Sequence, residues 1–426
     1  MTNYKLRTFA TGNTFDDSGW LLCDPQYSKP SLIRAIYDKT KLTLGEESLG
    51  IYRYSDWLPV NKTLKGSSST KTYRSGKLGL HLGLENLYVS FSGYWPEIGA
   101  DMTTCSFKET EAYSVCARLD DRNNGVMVVA SAGNTARAFA KVCSENGIPL
   151  LLVIPFDNLD AMWFGMQINE NVKLVCTPPG TDYFDAIELS SRICQSPLFF
   201  EEGGAKNVAR RDGMGTTVLS AATSIGKIPD YYFQAIGSGT GTIAAWEANL
   251  RLIEDGNYGS NKMRLFPSQN IPFTPMYDSW KKGSREIIFE NEESARNNAL
   301  RIEAKVLSNR RPPYGVPGGL FDALSDTGGD IEAVTNQELK SACYLFEKLE
   351  GIDIHPASGV ALAGMIKSVE KHSIDPKSII MLNITGGGEK LYKSVNKLYY
   401  KKPDLVIEND TETSIIIKQA ESLFEV

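Results

Sequence analysis

From about residue 106 onward the chain repeats one local pattern. A short apolar run is followed by a break of glycine and small polar residues, then by apolar residues three and four apart. Ala112, Val115, Cys116 and Leu119 fall at i, i+3, i+4 and i+7, the spacing of one buried helix face. Val126–Ala130 reads as a buried strand, Ser131-Ala-Gly-Asn-Thr135 as a loop, and Ala136, Phe139, Ala140 and Cys143 as a second helix stopped by Gly147. Residues 149–154 and 172–176 are further strands, with helical segments expected near 158–169 and 182–195. A second series follows: a helix near 214–226, a strand over 231–236, a glycine loop, a helix from about 242 to 255, and strands at 263–266 and 378–384. Such alternation predicts a mostly parallel sheet covered on both faces. Two series predict two α/β domains, with a ligand cleft between them. The polar stretch 61–75 reads as a loop.

Composition removes several alternatives. A chain of 426 residues can bury a large core, and no apolar run is long enough to cross a membrane. The first residues, Met1-Thr-Asn-Tyr-Lys-Leu-Arg7, do not lead into the apolar core of a secretory signal, so a cytoplasmic protein is expected. Acidic and basic residues are mixed around a net charge of −6, which argues against an extended nucleic-acid surface. The seven cysteines include no C-x-x-C pair, and the three histidines (His81, His355, His372) are far apart, so no metal site is expected.

Three glycine-containing loops end predicted strands. Gly237-Ser238-Gly239-Thr240-Gly241 opens a helix whose buried face is Ile243, Trp246, Leu250 and Ile253. Glycines permit close backbone approach, and the free N–H groups of a helix start bind anions. The spacing fits neither the dinucleotide fingerprint nor a P-loop, and a tight strand-to-helix turn explains it equally well. Ser131, Ala132, Gly133, Asn134 and Thr135 suit a carboxylate or a cofactor hydroxyl, or simply an N-cap at Asn134 or Thr135. Thr385-Gly-Gly-Gly388 is the third loop. All three lie where ligands bind in open α/β sheets, at the carboxyl ends of parallel strands. Lys108, in Ser106-Phe-Lys-Glu-Thr110, sits at a helix start, where a positive charge opposes the helix dipole. Imine formation with an aldehyde cofactor removes that charge, and a solvated surface lysine is the plainer alternative.

In this order, Ser-Phe-Lys plus an acidic residue, the Ala-Ser-x-Gly-Asn-Thr loop and the Gly-x-Gly-x-Gly loop resemble the threonine synthase group of fold-type II pyridoxal-phosphate (PLP) enzymes. Asn207-Val-Ala-Arg210-Arg-Asp-Gly213 and Pro356-Ala-Ser-Gly-Val-Ala-Leu-Ala-Gly364 are similar to two more segments of that group, so matches run from about 50 to 390. The resemblance implies a tryptophan synthase β-subunit-like α/β fold. It also implies an N-terminal segment (1–50), a large PLP-binding domain (51–110 and 206–426) and a smaller domain (111–205).

The resemblance further implies that Lys108 carries PLP as a Schiff base and acts as the catalytic base. Asn134 would bond the ring hydroxyl, Gly237, Ser238, Gly239, Thr240 and Gly241 the cofactor phosphate, and Thr385 the pyridine nitrogen. Glu109 and Thr110 replace the usual Asp and Arg, and His355 stands where Glu is common. Tyr54–Pro59, Gly93-Tyr-Trp-Pro-Glu97 and Ser106–Glu109 look instead like the cysteate synthase branch, which serves coenzyme M biosynthesis. Members of that branch often carry N-terminal cysteine pairs, of which only Cys23 remains here.

The implied reaction is a β-replacement joining O-phospho-L-serine and sulfite to give L-cysteate and phosphate, in a homo-oligomer (dimer or trimer). Threonine synthesis from O-phosphohomoserine and a non-catalytic ligand-binding role are the rival readings. Both reactants are anions, so cations and hydroxyls are needed. Ser131, Ala132, Gly133, Thr135, Lys65, Arg74 and Arg210 are the candidates, with Ser67, Ser68, Ser69 and Lys71 beside them.

Overall fold

A computed structural model describes residues 2–120, 122–131, 133–288 and 291–424. Apolar residues alternate along the strand Tyr231–Ala235. Tyr232 joins the core beneath one sheet face, while Phe233 and Ala235 join the core beneath the other. A strand buried on both faces belongs inside a parallel sheet. It is third of six, in the order Glu332–Val334, Arg264–Asn270, Tyr231–Ala235, Ile379–Ile384, Asn86–Phe91 and Lys71–Arg74. Pairing is parallel up to Asn86–Phe91, and Lys71–Arg74 closes the edge antiparallel.

The second sheet is parallel throughout: Phe199–Glu201, Val126–Ala130, Leu150–Pro155, Val172–Thr177 and Leu405–Val406. Val126 and Val128 face one core, with the helices Tyr183–Ile193 and Thr413–Ser422. Met127 and Val129 face the other, which takes in all eight apolar residues expected on the two helix faces at 112–119 and 136–143. The helices observed are Lys108–Arg118 and Asn134–Asn146, the latter ended by Gly147 in a left-handed conformation. The C-terminal strand and helix thus pack on the smaller sheet, far in sequence from the rest of it.

Two local expectations differ from the structure. Residues 158–169 form no α-helix. A short 3-10 turn, Phe156–Ala161, gives way to Trp163–Phe164, which pairs antiparallel with Tyr399–Tyr400. Gly165, just after the strand, lies so close to Tyr392 that a Cβ there would stand 1.8 Å from its hydroxyl oxygen. Within 61–75, Lys71–Arg74 is an edge strand. Its polar residues are compatible with burial because hydroxyls pair across it: Thr70 with Ser92 at 2.8 Å, and Thr72 with Ser90 and Ser220 at 2.9 Å each.

Buried cations fasten the N-terminal segment, Arg118 and Arg211 among them. Arg118, at the end of the Lys108 helix, donates to Asp17 (2.7 and 3.1 Å), to the Leu21 carbonyl (3.0 Å) and to Asn207 Oδ1 (2.9 Å). Arg118→Met strands the buried Asp17 carboxylate. Such losses cost about 3–5 kcal/mol. Urea unfolding followed by circular dichroism should show a fall of that size.

Candidate active site

The strands Tyr231–Ala235 and Ile379–Ile384 are parallel neighbours, so the loops after them emerge side by side. The first loop passes through Gly239 at φ 80°, a conformation that favours glycine, and opens the helix Thr240–Asp255. Thr242 and Ile243 both donate to the Gly239 carbonyl, and Ser238 and Thr240 share a hydroxyl hydrogen bond of 2.7 Å. A Cβ at Gly241 would stand 2.5 Å from Gln234 Nε2, and one at Gly237 2.9 Å from Leu307 Cα. The loop is therefore held between Gln234 beneath it and the 306–307 backbone beside it.

The second loop takes its shape from the segments that meet it. The Thr385 carbonyl accepts the Phe107 N–H (3.0 Å), the Gly386 carbonyl the His355 N–H (3.0 Å), and the Gly387 N–H donates to Cys105 (3.2 Å). Ser106 and Gly386 form an isolated antiparallel bridge. A Cβ at Gly388 would lie 1.8 Å from the Tyr94 carbonyl oxygen, and one at Gly386 2.3 Å from His355 Nδ1. These glycines let three backbone segments converge. One consequence is that Lys108, first residue of its helix, begins beside Thr385.

Lys108, Asn134, residues 237–241 and Thr385 line one cavity, together with Ser106, Gln234 and His355. Lys108 Nζ lies 3.1 Å from Glu111 Oε2, one turn along its own helix. Glu111 also meets Arg210 (3.1 Å) and accepts the Thr135 hydroxyl (3.0 Å), and Arg210 forks onto Glu202 through Nε at 2.8 Å and Nη2. Burial pushes the Lys108 amine below its ordinary range, Arg210 pushes the same way, and Glu111 opposes both. The expected conflict between Lys108 and the helix dipole is thus offset in the first turn by Glu111, whose side chain is fully buried.

The remaining candidates are distributed unevenly. Ser131 Oγ accepts the N–H groups of Gly133 and Ala136, both at 3.0 Å, so Ser131 satisfies the helix start where Asn134 or Thr135 was expected to cap it. Asn134 Oδ1 accepts from Arg137 at 3.1 Å while facing the cavity. Ala132 lies outside the described residues. Among the described residues, Lys65 and Arg74 do not line the cavity. Lys65 is exposed beside Asn146, and Arg74 donates to the Glu85 carbonyl at the sheet edge. Lys71 pairs with Glu47.

Sequence reasoning did not single out Glu111 or Gln234. Glu111 was reachable from its i,i+3 spacing to Lys108. Gln234 shows as a polar residue at an otherwise apolar strand position, where it accepts from Tyr232 and Asn383.

A deprotonatable lysine, a glycine-lined helix start and a strand-end hydroxyl around one cavity fit an aldehyde cofactor that carries a phosphate. Residues 100–386 match the model of the family described as "Pyridoxal-phosphate dependent enzyme", and the chain belongs to that family. Maize serine racemase superimposes with a TM-score of 0.57 at 17% identity, over 76% of this chain and 91% of that one, in keeping with a fold-type II architecture. The chain is also similar over nearly its whole length to cysteate synthases. That of Methanosarcina acetivorans is 45% identical, covering 96% of this chain and 98% of its own length. That of Methanocella arvoryzae is 47% identical, covering 96% of each.

The cofactor is pyridoxal 5'-phosphate. Glu111→Gln removes the anion that favours the Lys108 ammonium, so the Lys108 pKa should fall further. The neutral amine then persists to lower pH. Attachment of added PLP to cofactor-free protein, followed by visible absorbance, should titrate at lower pH than in the unaltered protein, and an unchanged or higher midpoint would contradict the assignment.

Proposed function

We propose that the protein replaces the phosphate of O-phospho-L-serine with sulfite, giving L-cysteate and inorganic phosphate, a step toward coenzyme M. The observation that carries this reading is the half-buried Lys108 amine held by Glu111 inside the cofactor cavity, in a chain similar over nearly its whole length to cysteate synthases. Bound PLP supplies the electron sink that makes the Cα hydrogen acidic and the Cβ substituent a leaving group.

The protein's own groups supply the rest. Lys108 Nζ takes the Cα proton and returns it at the end, a task suited to an amine whose pKa burial has lowered. Glu111 fixes the position of Nζ and is itself held by Arg210 and Thr135. Asn134 and Thr385 bear on the ring, and residues 237–241 hold the cofactor phosphate at the helix start. Gly133 and Thr135 receive the substrate carboxylate, with Ser131 keeping that turn in shape. Between the two proton transfers the Cβ–O bond breaks, phosphate leaves with the electron pair, and sulfite sulfur forms the Cβ–S bond. On this reading the enzyme works in the cytoplasm as a homo-oligomer.

Incubation with phosphoserine, with and without sulfite, followed by mass identification of the amino-acid product, tests the reading. Cysteate is expected only when sulfite is present. Threonine formed from phosphohomoserine, with phosphoserine and sulfite untouched, would sink it. Lys108→Ala should lose the visible cofactor band and lower turnover by about 10²–10⁴-fold, the usual contribution of a positioned base.

A further inference from the structure

One buried cation of the helix Asn134–Asn146 has no anion beside it. Ala136, Phe139, Ala140 and Cys143 form the apolar face of that helix, so Arg137, just off that face, would ordinarily reach solvent. It is instead 2% exposed. An arginine keeps its charge, and a buried charge is costly unless an opposite one answers it. Among the described residues Arg137 forms no ion pair, and its hydrogen bonds go to uncharged oxygens. Nη1 donates to the Ala161 carbonyl at 2.9 Å, and Nη2 to the Thr104 carbonyl at 2.9 Å and to Asn134 Oδ1 at 3.1 Å. Nε is buried without a partner. Glu389, the carboxylate that bears on it most, is already taken by His355 and Lys393.

Segments distant in sequence build the surroundings of this guanidinium. It lies 4.1 Å from the centroid of the Trp163 ring, whose negative face is its only partial counter-charge. Trp163 is placed there by the pairing of Trp163–Phe164 with Tyr399–Tyr400, and the turn before it presents the Ala161 carbonyl. The Thr104 N–H donates to Glu109 at 2.6 Å, so Arg137 ties the residues ahead of Lys108 to the helix start that carries Asn134. A guanidinium can only donate, so its bond to Asn134 requires the amide oxygen to face Arg137. The amide N–H groups are left over. They have no acceptor among the described residues, and Asn134 lines the cofactor cavity.

We propose that Arg137 is a positioning residue for the cofactor: it fixes the Asn134 amide with its N–H groups toward the cavity and, through that amide, favours the ionised form of the pyridoxal ring hydroxyl. The proposal rests on the placement of Asn134 against the ring made above. A free amide can turn end for end, since its two ends are nearly equal in size, and an oxygen presented to an ionised hydroxyl repels it. The bond to a cation removes that freedom. It also polarises the amide, which strengthens what the amide donates on its far side. The missing counter-ion fits this role, because a carboxylate beside Arg137 would cancel its field at the ring.

The test compares two cofactors added to the full chain stripped of its own. One is pyridoxal 5'-phosphate, and the other is 3-deoxypyridoxal 5'-phosphate, which keeps the aldehyde and the phosphate but lacks the ring hydroxyl. Arg137→Met should weaken apparent affinity for the first by about tenfold or more, the scale of a hydrogen bond to a charged group, and leave the second within about twofold. In an Asn134→Ala background the same substitution should leave the ratio of the two affinities within about twofold, because the amide through which Arg137 acts is gone. Arg137→Met holoenzyme should also lose visible absorbance to the near ultraviolet, where the form with an un-ionised hydroxyl absorbs.

Equal weakening of both cofactors would leave Arg137 a packing residue only and overturn the proposal. No change in either would overturn it too, as would a selective loss that persists without Asn134. Where Arg137→Met does not fold, Arg137→Gln, which keeps an amide for the carbonyls but no charge, decides on the same criteria. If Asn134→Ala itself leaves the ratio of the two affinities unchanged, the placement of Asn134 fails and the proposal falls with it. A change there with none in the Arg137 variants overturns the proposal alone. These measurements use neither phosphoserine nor sulfite, so a holoenzyme that makes no cysteate defeats the functional reading and leaves this one standing.

Discussion

The antiparallel contact between Ser106 and Gly386, with the Phe107 N–H on the Thr385 carbonyl, is the join on which the site depends. It lays the residues before Lys108 against the end of the central strand Ile379–Ile384. The helix that follows must then start at the mouth of the sheet, and Lys108 with it. The glycines 386–388 are the physical condition for that contact. Side chains there would collide with the Cys105, Asp353 and Tyr94 carbonyls and with His355. A glycine motif that reads as a ligand loop at a strand end works in the fold as a place where backbones cross closely.

Around Lys108 the electrostatics follow from burial. An amine removed from water favours its neutral form, which is the nucleophilic and basic form the chemistry needs. Glu111 holds it in place without neutralising the whole cluster, since Arg210 and Thr135 share the same carboxylate. Breaking any member strands a charge inside the protein, so the cluster positions its parts at the expense of tolerance to change.

Much of the fold was legible because both sheets are mostly parallel and buried. Strands such as 126–130 and 150–154 appear as unbroken apolar runs, and the helices between them carry clear 3.6-residue spacing. The polar strand Lys71–Arg74 was not legible, since its partners Ser90, Ser92 and Ser220 are distant in sequence. The stretch 156–164 reads as helical, yet its end, Trp163–Phe164, forms a strand because Tyr399–Tyr400 pairs with it. Of the cations named from sequence, Arg210 reaches the Lys108 cluster. The cations that crowd the cleft, at 296–311, lie in a stretch with no motif at all.

The sequence by itself determined the family and the cofactor, and it singled out Lys108 and the three strand-end loops as the candidates to hold it. Each is encoded in a contiguous stretch whose geometry is local: a strand, a glycine turn and a helix start. Only the tertiary structure decided which charges surround that lysine. Those depend on Glu111 with Arg210, 99 positions apart, a pair that, like Asp182 with Arg310, 128 positions apart, the tertiary packing brings within hydrogen-bond reach.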